Sequence, residues 1–303
     1  MSDNRSASED LVYSQVLEER NQGPATRQPI LEQLERDRDR KAVLYFTSFR
    51  YPTLIEDTDA DMLEAVLQQL DGDTQKGLSV ILSSPGGLAL AAERVIRVCR
   101  AYSNAGFEVI VPKMAKSAAT MICLGASKIV MSETSELGGV DPQVVLREDN
   151  ESLFMPAWCV LESYRDLFER AVNTTGNLEP FLQQLDKYDA RLIKKWMLEQ
   201  DLGKAIAVQA LQNGMLRDME TQEVEKRIEL LLSPEQMKSH GRPVYWETLK
   251  EMGLNIEYAE PDTPFWQRVS ELYVRANQFV SHGACKLIET KDHHFAVPAP
   301  KGG

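Results

Sequence analysis

The sequence predicts an α/β fold built on parallel strands, and three observations carry that expectation. Segments of strand character alternate with segments of helical character from residue 42 to residue 132. The strand segments are apolar on both faces, the pattern of strands covered by helices above and below. Two of them run into the following helix through a turn of glycine or small residues, which suits short βαβ connections.

In chain order, residues 1–40 are polar and carry both charge signs, ending in LEQLERDRDRKA, which predicts a solvated helix behind a ragged arm. AVLYFTSF (42–49) is β-branched, aromatic and of strand length. In DADMLEAVLQQLDGD, Met62, Leu63, Val66 and Leu70 recur at helical spacing. GLSVILSSPGG is a short apolar run stopped by Ser-Pro-Gly-Gly, and LALAAERVIRVCRAYSNAG is an Ala-rich helix closed by Gly106. FEVIVPKMA predicts one strand, SAATMICLGAS a helix of small residues, and KIVMS another strand. From about 155 to 232 the pattern is helical throughout. RPVYWETLKEMGLNIEYAE returns as a helix feeding a short strand; FWQRVSELYVRANQFVSH is amphipathic, and the Pro- and Gly-containing end HHFAVPAPKGG predicts a mobile tail. The organisation expected is an arm at 1–40, a main domain at 41–262 with a helical insertion at about 155–232, and a C-terminal helix with a flexible tail at 263–303.

Composition narrows the functional classes. The 34 basic and 46 acidic side chains leave a net charge of −12, so no basic face for phosphates is favoured and nucleic acid is not expected as a partner. No apolar run reaches the length of a membrane span or a signal-peptide core, so neither a span nor secretion is expected. Cys99, Cys123, Cys159 and Cys285 stand apart without a C-x-x-C pair, which predicts a reducing, cytoplasmic setting and no structural zinc. No metal or organic cofactor is indicated.

Two turns can carry chemistry. In SSPGGLALAAE, Pro85 fixes one φ angle while Gly86 and Gly87 allow backbone amides to point outward at the head of a helix. Such amides hold an anion or a developing oxyanion, although Pro-Gly-Gly is also an ordinary turn. In PKMAKSAATMICLGAS, Ser117 sits where a strand becomes a helix, flanked by Ala115, Ala118 and Ala119. Taken alone it reads first as an N-cap; the sharper reading is a nucleophile whose following amide, that of Ala118, joins Gly86 or Gly87 in one oxyanion hole. A nucleophilic hydroxyl needs a base, and there are four histidines. His293 and His294 fall in the expected tail and His282 ends a helix, where a cation suits the dipole. His240, in a glycine-containing turn before a helix, is the best base; Asp141, between Gly138-Gly139 and Pro142, is either a turn former or the carboxylate that orients it.

SSPGG, KSAATMICLGASKIVMS, LGGVDPQ and SHGRPVYWETLKEMGL, in that order, resemble the Clp protease and crotonase superfamily, and within it the serine dehydrogenase proteinase family, relatives of signal peptide peptidase A. The resemblance spans roughly residues 40 to 260 and is strongest from Leu78 to Gln143. It implies a Clp protease/crotonase-like core of repeated ββα/βαβ units, with an added helical region here. It further implies a soluble serine endopeptidase with Ser117 as nucleophile and an oxyanion hole from Gly86 or Gly87 with Ala118. The Clp branch places a histidine after the serine helix, where this chain has Gly138-Gly139. The serine dehydrogenase proteinase family has the order Ser, Asp, His, which Asp141 and His240 match; triad geometry does not dictate sequence order. Two departures stand out: a charged arm where relatives often carry a hydrophobic anchor, and Ala119-Thr120 where relatives commonly have Gly-Thr.

Two alternatives compete. One is a Ser-Lys dyad of the signal-peptide-peptidase type, with Lys113, Lys116 or Lys187 as base, which needs a lysine made neutral by burial. The other is a crotonase-like acyl-thioester enzyme or a non-catalytic oligomeric scaffold, for which the acidic balance offers no basic cluster to hold CoA phosphates. The resemblance also implies a peptide or protein substrate, a homo-oligomer with the helices of 155–232 as contact surface, and for some relatives a separate ATPase; this chain has no Gly-x-x-x-x-Gly-Lys sequence of its own.

Overall fold

β1 (Lys41–Thr47), β2 (Leu78–Ser83), β3 (Phe107–Ile110), β5 (Lys128–Met131) and β9 (Ile256–Tyr258) lie parallel, as their two-sided apolar character requires. β10 (Ala284–Glu289) adds antiparallel to β1 and β11 (His294–Pro298) antiparallel to β10, completing a seven-stranded sheet in the order β11-β10-β1-β2-β3-β5-β9. These coordinates, a computed structural model, describe residues 14–16, 23–70, 76–148 and 151–300. Residues 1–13 and 17–22 of the expected arm, and the last three residues, lie outside the described residues.

The period of two along each strand divides the core. Val43, Tyr45, Val80, Leu82, Val109 and Ile129 point to one face, against α2 (Asp57–Leu67), α3 (Ala89–Ala101) and α4 (Ala118–Leu124). Ala42, Leu44, Phe46, Ile81, Ile110 and Val130 point to the other, against α1 (Gln28–Arg38) and α12 (Pro264–His282). The start of α2 is fixed by a capping box in which the Glu56 and Asp59 side chains take each other's backbone N–H groups.

The region after β5 turns away from the sheet. β7 (Gln143–Glu148) and β8 (Glu151–Pro156) form an antiparallel hairpin, followed by α5 (Ala157–Asn173), α6 (Glu179–Leu185) and α7 (Ala190–Gln212). At 23 residues, α7 is roughly 35 Å long. Its second half packs Ile206, Ala207 and Leu211 into the main core. Its first half contributes Ile193 to a separate small cluster with Val144, Ala157, Val160 and Leu161. The insertion is thus an arm with a thin core of its own. α8 (Thr221–Arg227), α9 (Glu229–Leu232), α10 (Pro234–Met237) and α11 (Trp246–Glu251) then lead the chain back to β9.

Three expectations are corrected. The end of the chain is not a flexible tail: residues 284–289 and 294–298 are β10 and β11, with Leu287 and Ile288 fully buried. Lys286 holds both carboxylate oxygens of Asp59 at 2.9 Å, and Arg27 meets Glu289 at 2.7 Å, both charges of that pair being fully buried. Those partners lie 227 and 262 residues away, so charges that look solvated locally are paired across the fold. The helix ending the arm is solvated on one face only, because Leu31 and Leu34 are buried, each worth about 1.5–3 kcal/mol. Lastly, FEVIVPKMA is two strands: β3 ends at Ile110, and beyond Pro112 the chain forms β4 (Met114–Ala115) in a second, smaller sheet with β6 (Glu136–Leu137).

Candidate active site

The smaller sheet gathers the motifs. Ser84 bridges Ala115, Ala115 pairs with Leu137, and Leu137 bridges Val244, the first two pairings parallel and the last antiparallel. Beyond Ser84 the chain runs on to Gly86 and Gly87, beyond Ala115 to Ser117, and beyond Leu137 to Asp141. Because Val244 runs the opposite way, it is the chain before it, with His240, that lies at this same end. Four segments spread over about 160 residues therefore converge where parallel strands end, the usual place for a site in an α/β protein.

Ser117 has φ 52° and ψ −117°. Those are the angles of the first corner of a type II′ turn, normally a glycine position, and the Ala119 N–H donates to Lys116 O at 2.9 Å to close it. The turn lifts Ser117, half-buried, off the buried helix α4 that it precedes. Small size beside it is a steric need: a Cβ on Gly86 would stand 2.6 Å from Lys116 O and 2.7 Å from Ser117 Cβ. Gly86 itself has φ 109°, which L side chains rarely adopt. A Cβ on Gly87 would run into the Ile55 backbone at 2.2 Å. Ile55 N–H donates to Gly86 O, Leu88 N–H donates to Ile55 O, and Gly86 N–H donates to Ser84 Oγ at 3.0 Å. The Gly86 amide is thereby committed to Ser84.

His240 Nδ1 lies 3.0 Å from Asp141 Oδ1. Asp141 is buried, and its second oxygen, Oδ2, has no hydrogen-bond partner among the described residues. An ionised carboxylate can only accept, so in the neutral imidazole Nδ1 carries the proton and Nε2 the free lone pair. Local chemistry aims both groups. Gly139 leaves room for the carboxylate, since a Cβ there would stand 2.8 Å from Asp141 Oδ1. Val140 N–H donates to Leu231 O, tying the loop to α9. Lys238, in a left-handed conformation, ends α10, and Arg242 closes the next turn onto Ser239 O and Gln236 O.

The structure therefore brings Gly86 and Ala118 against Ser117, and Asp141 against His240. No hydrogen bond between Ser117 and His240 is among those of the described residues. The other histidines are engaged elsewhere: His282 with Gln278 O, His293 with Gln69 O, and His294 beside Glu289. Lys116, a dyad candidate, pairs with Glu136 Oε1 at 2.8 Å and donates to Leu137 O at 3.2 Å. Lys187 is exposed. Burial pushes the thiols of Cys99, to about 12, and Cys123 up, so neither is a nucleophile at neutral pH. Among the described residues no three His, Cys, Asp or Glu side chains converge as metal ligands, and no described helix is long and apolar enough to cross a membrane.

Sequence reasoning missed two buried hydroxyls, Ser84 and Thr120. Ser84 Oγ shares a 2.6 Å hydrogen bond with Thr47 Oγ1 besides accepting from Gly86. Thr120 is the one polar residue in AATMICL, every residue of which is buried, and that is the signal that singles it out.

Residues 27–165 match the family model described as ClpP-like SDH-type serine proteinase. The chain is 30% identical over 201 residues to an uncharacterized protein of Methanocaldococcus jannaschii, covering 65% of this chain and 59% of the relative. It is 30% identical over 121 residues to a second one, covering 39% and 38%. The chain thus spans less than two thirds of either relative's length. A solved structure of 1510-N, a membrane-bound stomatin-specific protease captured as a lysine-to-alanine mutant with a substrate peptide, is 16% identical, with a TM-score of 0.30 over 78% of this chain and 99% of that one.

Proposed function

We propose that this chain, which over residues 27–165 matches the family model of ClpP-like SDH-type serine proteinases, hydrolyses peptide bonds through an acyl-enzyme on Ser117, with His240 as base and Asp141 as its orienting carboxylate. The observation that carries the reading is the 3.0 Å contact between His240 Nδ1 and Asp141 Oδ1 at the end of the small sheet from which Ser117 also projects. His240 Nε2 takes the Ser117 hydroxyl proton as Oγ adds to the substrate carbonyl. The oxyanion that forms is held by the N–H groups of Gly87 and Ala118, the Gly86 amide being committed to Ser84. Nε2 then protonates the leaving amine, and water, activated by the same imidazole, releases the acyl group. The ion pair of Lys116 with Glu136 speaks against the lysine alternative.

The test is covalent capture. A fluorophosphonate probe should label the wild-type chain, mass spectrometry should find the adduct on Ser117, and His240→Ala should slow labelling at least tenfold. An adduct on another serine, or labelling indifferent to His240, removes the assignment.

The proposal extends to a homo-oligomer assembled through the arm. Phe168, Val172, Leu182, Leu192, Leu198 and Leu202 are exposed there, more apolar surface than a lone helical arm keeps in water. Light scattering should report a multimer for the wild type and a smaller species for the double variant Leu198→Glu, Leu202→Glu; a monomeric wild type contradicts this. A cytoplasmic setting belongs to the same reading, since all four cysteines are free thiols, and cell fractionation tests it.

A further inference from the structure

The nucleophile turn and the loop bearing the orienting carboxylate are separate pieces of chain, and their relative position decides whether Nε2 of His240 can serve Ser117. Thr120 joins them. It is fully buried on the first turn of α4, three residues beyond Ser117. Its Oγ1 lies 2.9 Å from Ala115 O, on the strand that leads to Ser117. The same oxygen lies 3.1 Å from Gly138 O and accepts the Gly138 N–H at 3.1 Å. Gly138 is three residues before Asp141.

A threonine inside a helix ordinarily turns its hydroxyl back to the carbonyl four residues earlier. Here that carbonyl, Lys116 O, is engaged by Ala119 N–H. The Thr120 hydroxyl instead reaches the strand before the turn and spans to the neighbouring loop. With one proton to donate, to Ala115 O or Gly138 O, and a lone pair for Gly138 N–H, it satisfies two buried backbone groups at a time and ties the strand before the turn to the neighbouring loop. Gly138 is held close to the same elements, since a Cβ there would stand 2.7 Å from Lys116 Cδ.

We propose that Thr120 is a positioning residue for the peptidase reaction, its hydroxyl fixing the distance between the Ser117 turn and the Asp141–His240 pair. This rests on the serine-peptidase reading above. A misplacement of the order of 1 Å between nucleophile and base costs about 100-fold in rate, and the effect should fall on kcat, because Thr120 is buried away from any substrate.

The experiment compares Thr120→Val, which keeps the shape and removes the hydroxyl, with Thr120→Ser, which keeps the hydroxyl and removes the methyl group. Fluorescein-labelled casein reports turnover, a fluorophosphonate reports the nucleophile, and melting curves report folding. T120V, folded at the assay temperature, should lose roughly 10- to 100-fold in kcat with KM within twofold; T120S should stay within threefold of wild type. A folded T120V with wild-type kcat overturns the proposal, as does T120S losing as much as T120V, which would trace the effect to packing of the methyl. Should T120V fail to fold, T120S decides: kcat within threefold sustains the assignment, and a loss beyond tenfold overturns it. Labelling that survives Ser117→Ala would mark failure of the peptidase reading itself, and this inference would fall with it; loss of labelling in that control beside an unimpaired T120V confines the failure to Thr120.

Discussion

Ser117→Gly is expected to yield a protein that melts higher than the wild type and turns over no peptide. At φ 52° and ψ −117° a residue with a Cβ is held where only glycine sits at ease, and such strain costs about 1–3 kcal/mol. Glycine relieves it, less the 0.5–1 kcal/mol or so that its extra freedom in the unfolded chain takes back. The expected net gain is about 1 kcal/mol, or roughly 1–2 °C for a chain of this size. Ser117→Ala keeps the Cβ and the strain, so it should melt with the wild type. Both variants should lose at least about 1,000-fold in kcat on casein, since removal of the nucleophile leaves only the oxyanion hole and binding. Scanning calorimetry on the three proteins checks the order. A glycine variant that melts below the alanine variant would mean that the turn is relaxed with serine in place. The contrast separates this serine from an N-cap, where the side chain stabilises the helix and its loss destabilises; in α4 no side-chain cap bond is made by Ser117.

The parallel core was legible because its signal is local. A strand buried on both faces must be apolar at nearly every position, and 42–47, 78–83 and 128–131 are. The glycine turns were legible for a related reason: Gly86 and Gly87 stand where any Cβ would strike backbone within 3 Å. What resisted reading is what pairs across distance. Lys286, Glu289 and Arg27 look like solvent-facing charges in their own segments and become interior only through partners more than 200 residues away. Residues 284–298 therefore read as a tail. The second sheet was hidden in the same way, since β4 and β6 are two residues each, too short for a period to register, and Pro112 divides what reads as one strand. Asp141 and His240 were recommended by family order alone; the fold supplies the reason, because Leu137 and Val244 pair and so bring their flanking turns to one end. Thr120 was seen only as the neighbour of a departure at Ala119, for a hydroxyl's partners are fixed by tertiary contact.

Arg38→Ala should cost more stability than any other single surface-proximal change, because Arg38 closes a charge cluster across three elements. Its guanidinium meets Glu108 of β3 with Nε at 2.8 Å and Nη2 at 2.6 Å, and Glu257 of β9 with Nη1 at 2.5 Å. Lys128 Nζ also donates to Glu257, at 2.8 Å, and Ser79 Oγ donates to Glu108 at 2.7 Å. Glu108 is only 1% exposed, so losing its fork-to-fork partner leaves a buried carboxylate with one hydroxyl for company. Removing one side of such a pair costs about 3–5 kcal/mol, a fall in melting temperature of roughly 5–10 °C here. Replacing both sides, Arg38→Leu with Glu108→Leu, removes the stranded charge and should recover much of that loss. The same cluster sets an acid limit. Arg38, then Lys128, hold the Glu257 carboxyl down at about 2 against burial that opposes them. A carboxyl whose pKa is depressed on folding stabilises fully above its unfolded value near 4.5 and loses that contribution as pH falls toward 2. Since Glu257 is a third exposed, screening reduces the contribution to about 1–2 kcal/mol. Urea titrations between pH 7 and pH 3 should show wild-type stability declining below pH 5, with a shallower decline in Arg38→Ala. Equal slopes, or a change in melting temperature under 1 °C, would mean that the cluster is a solvated surface network with no hold on the sheet.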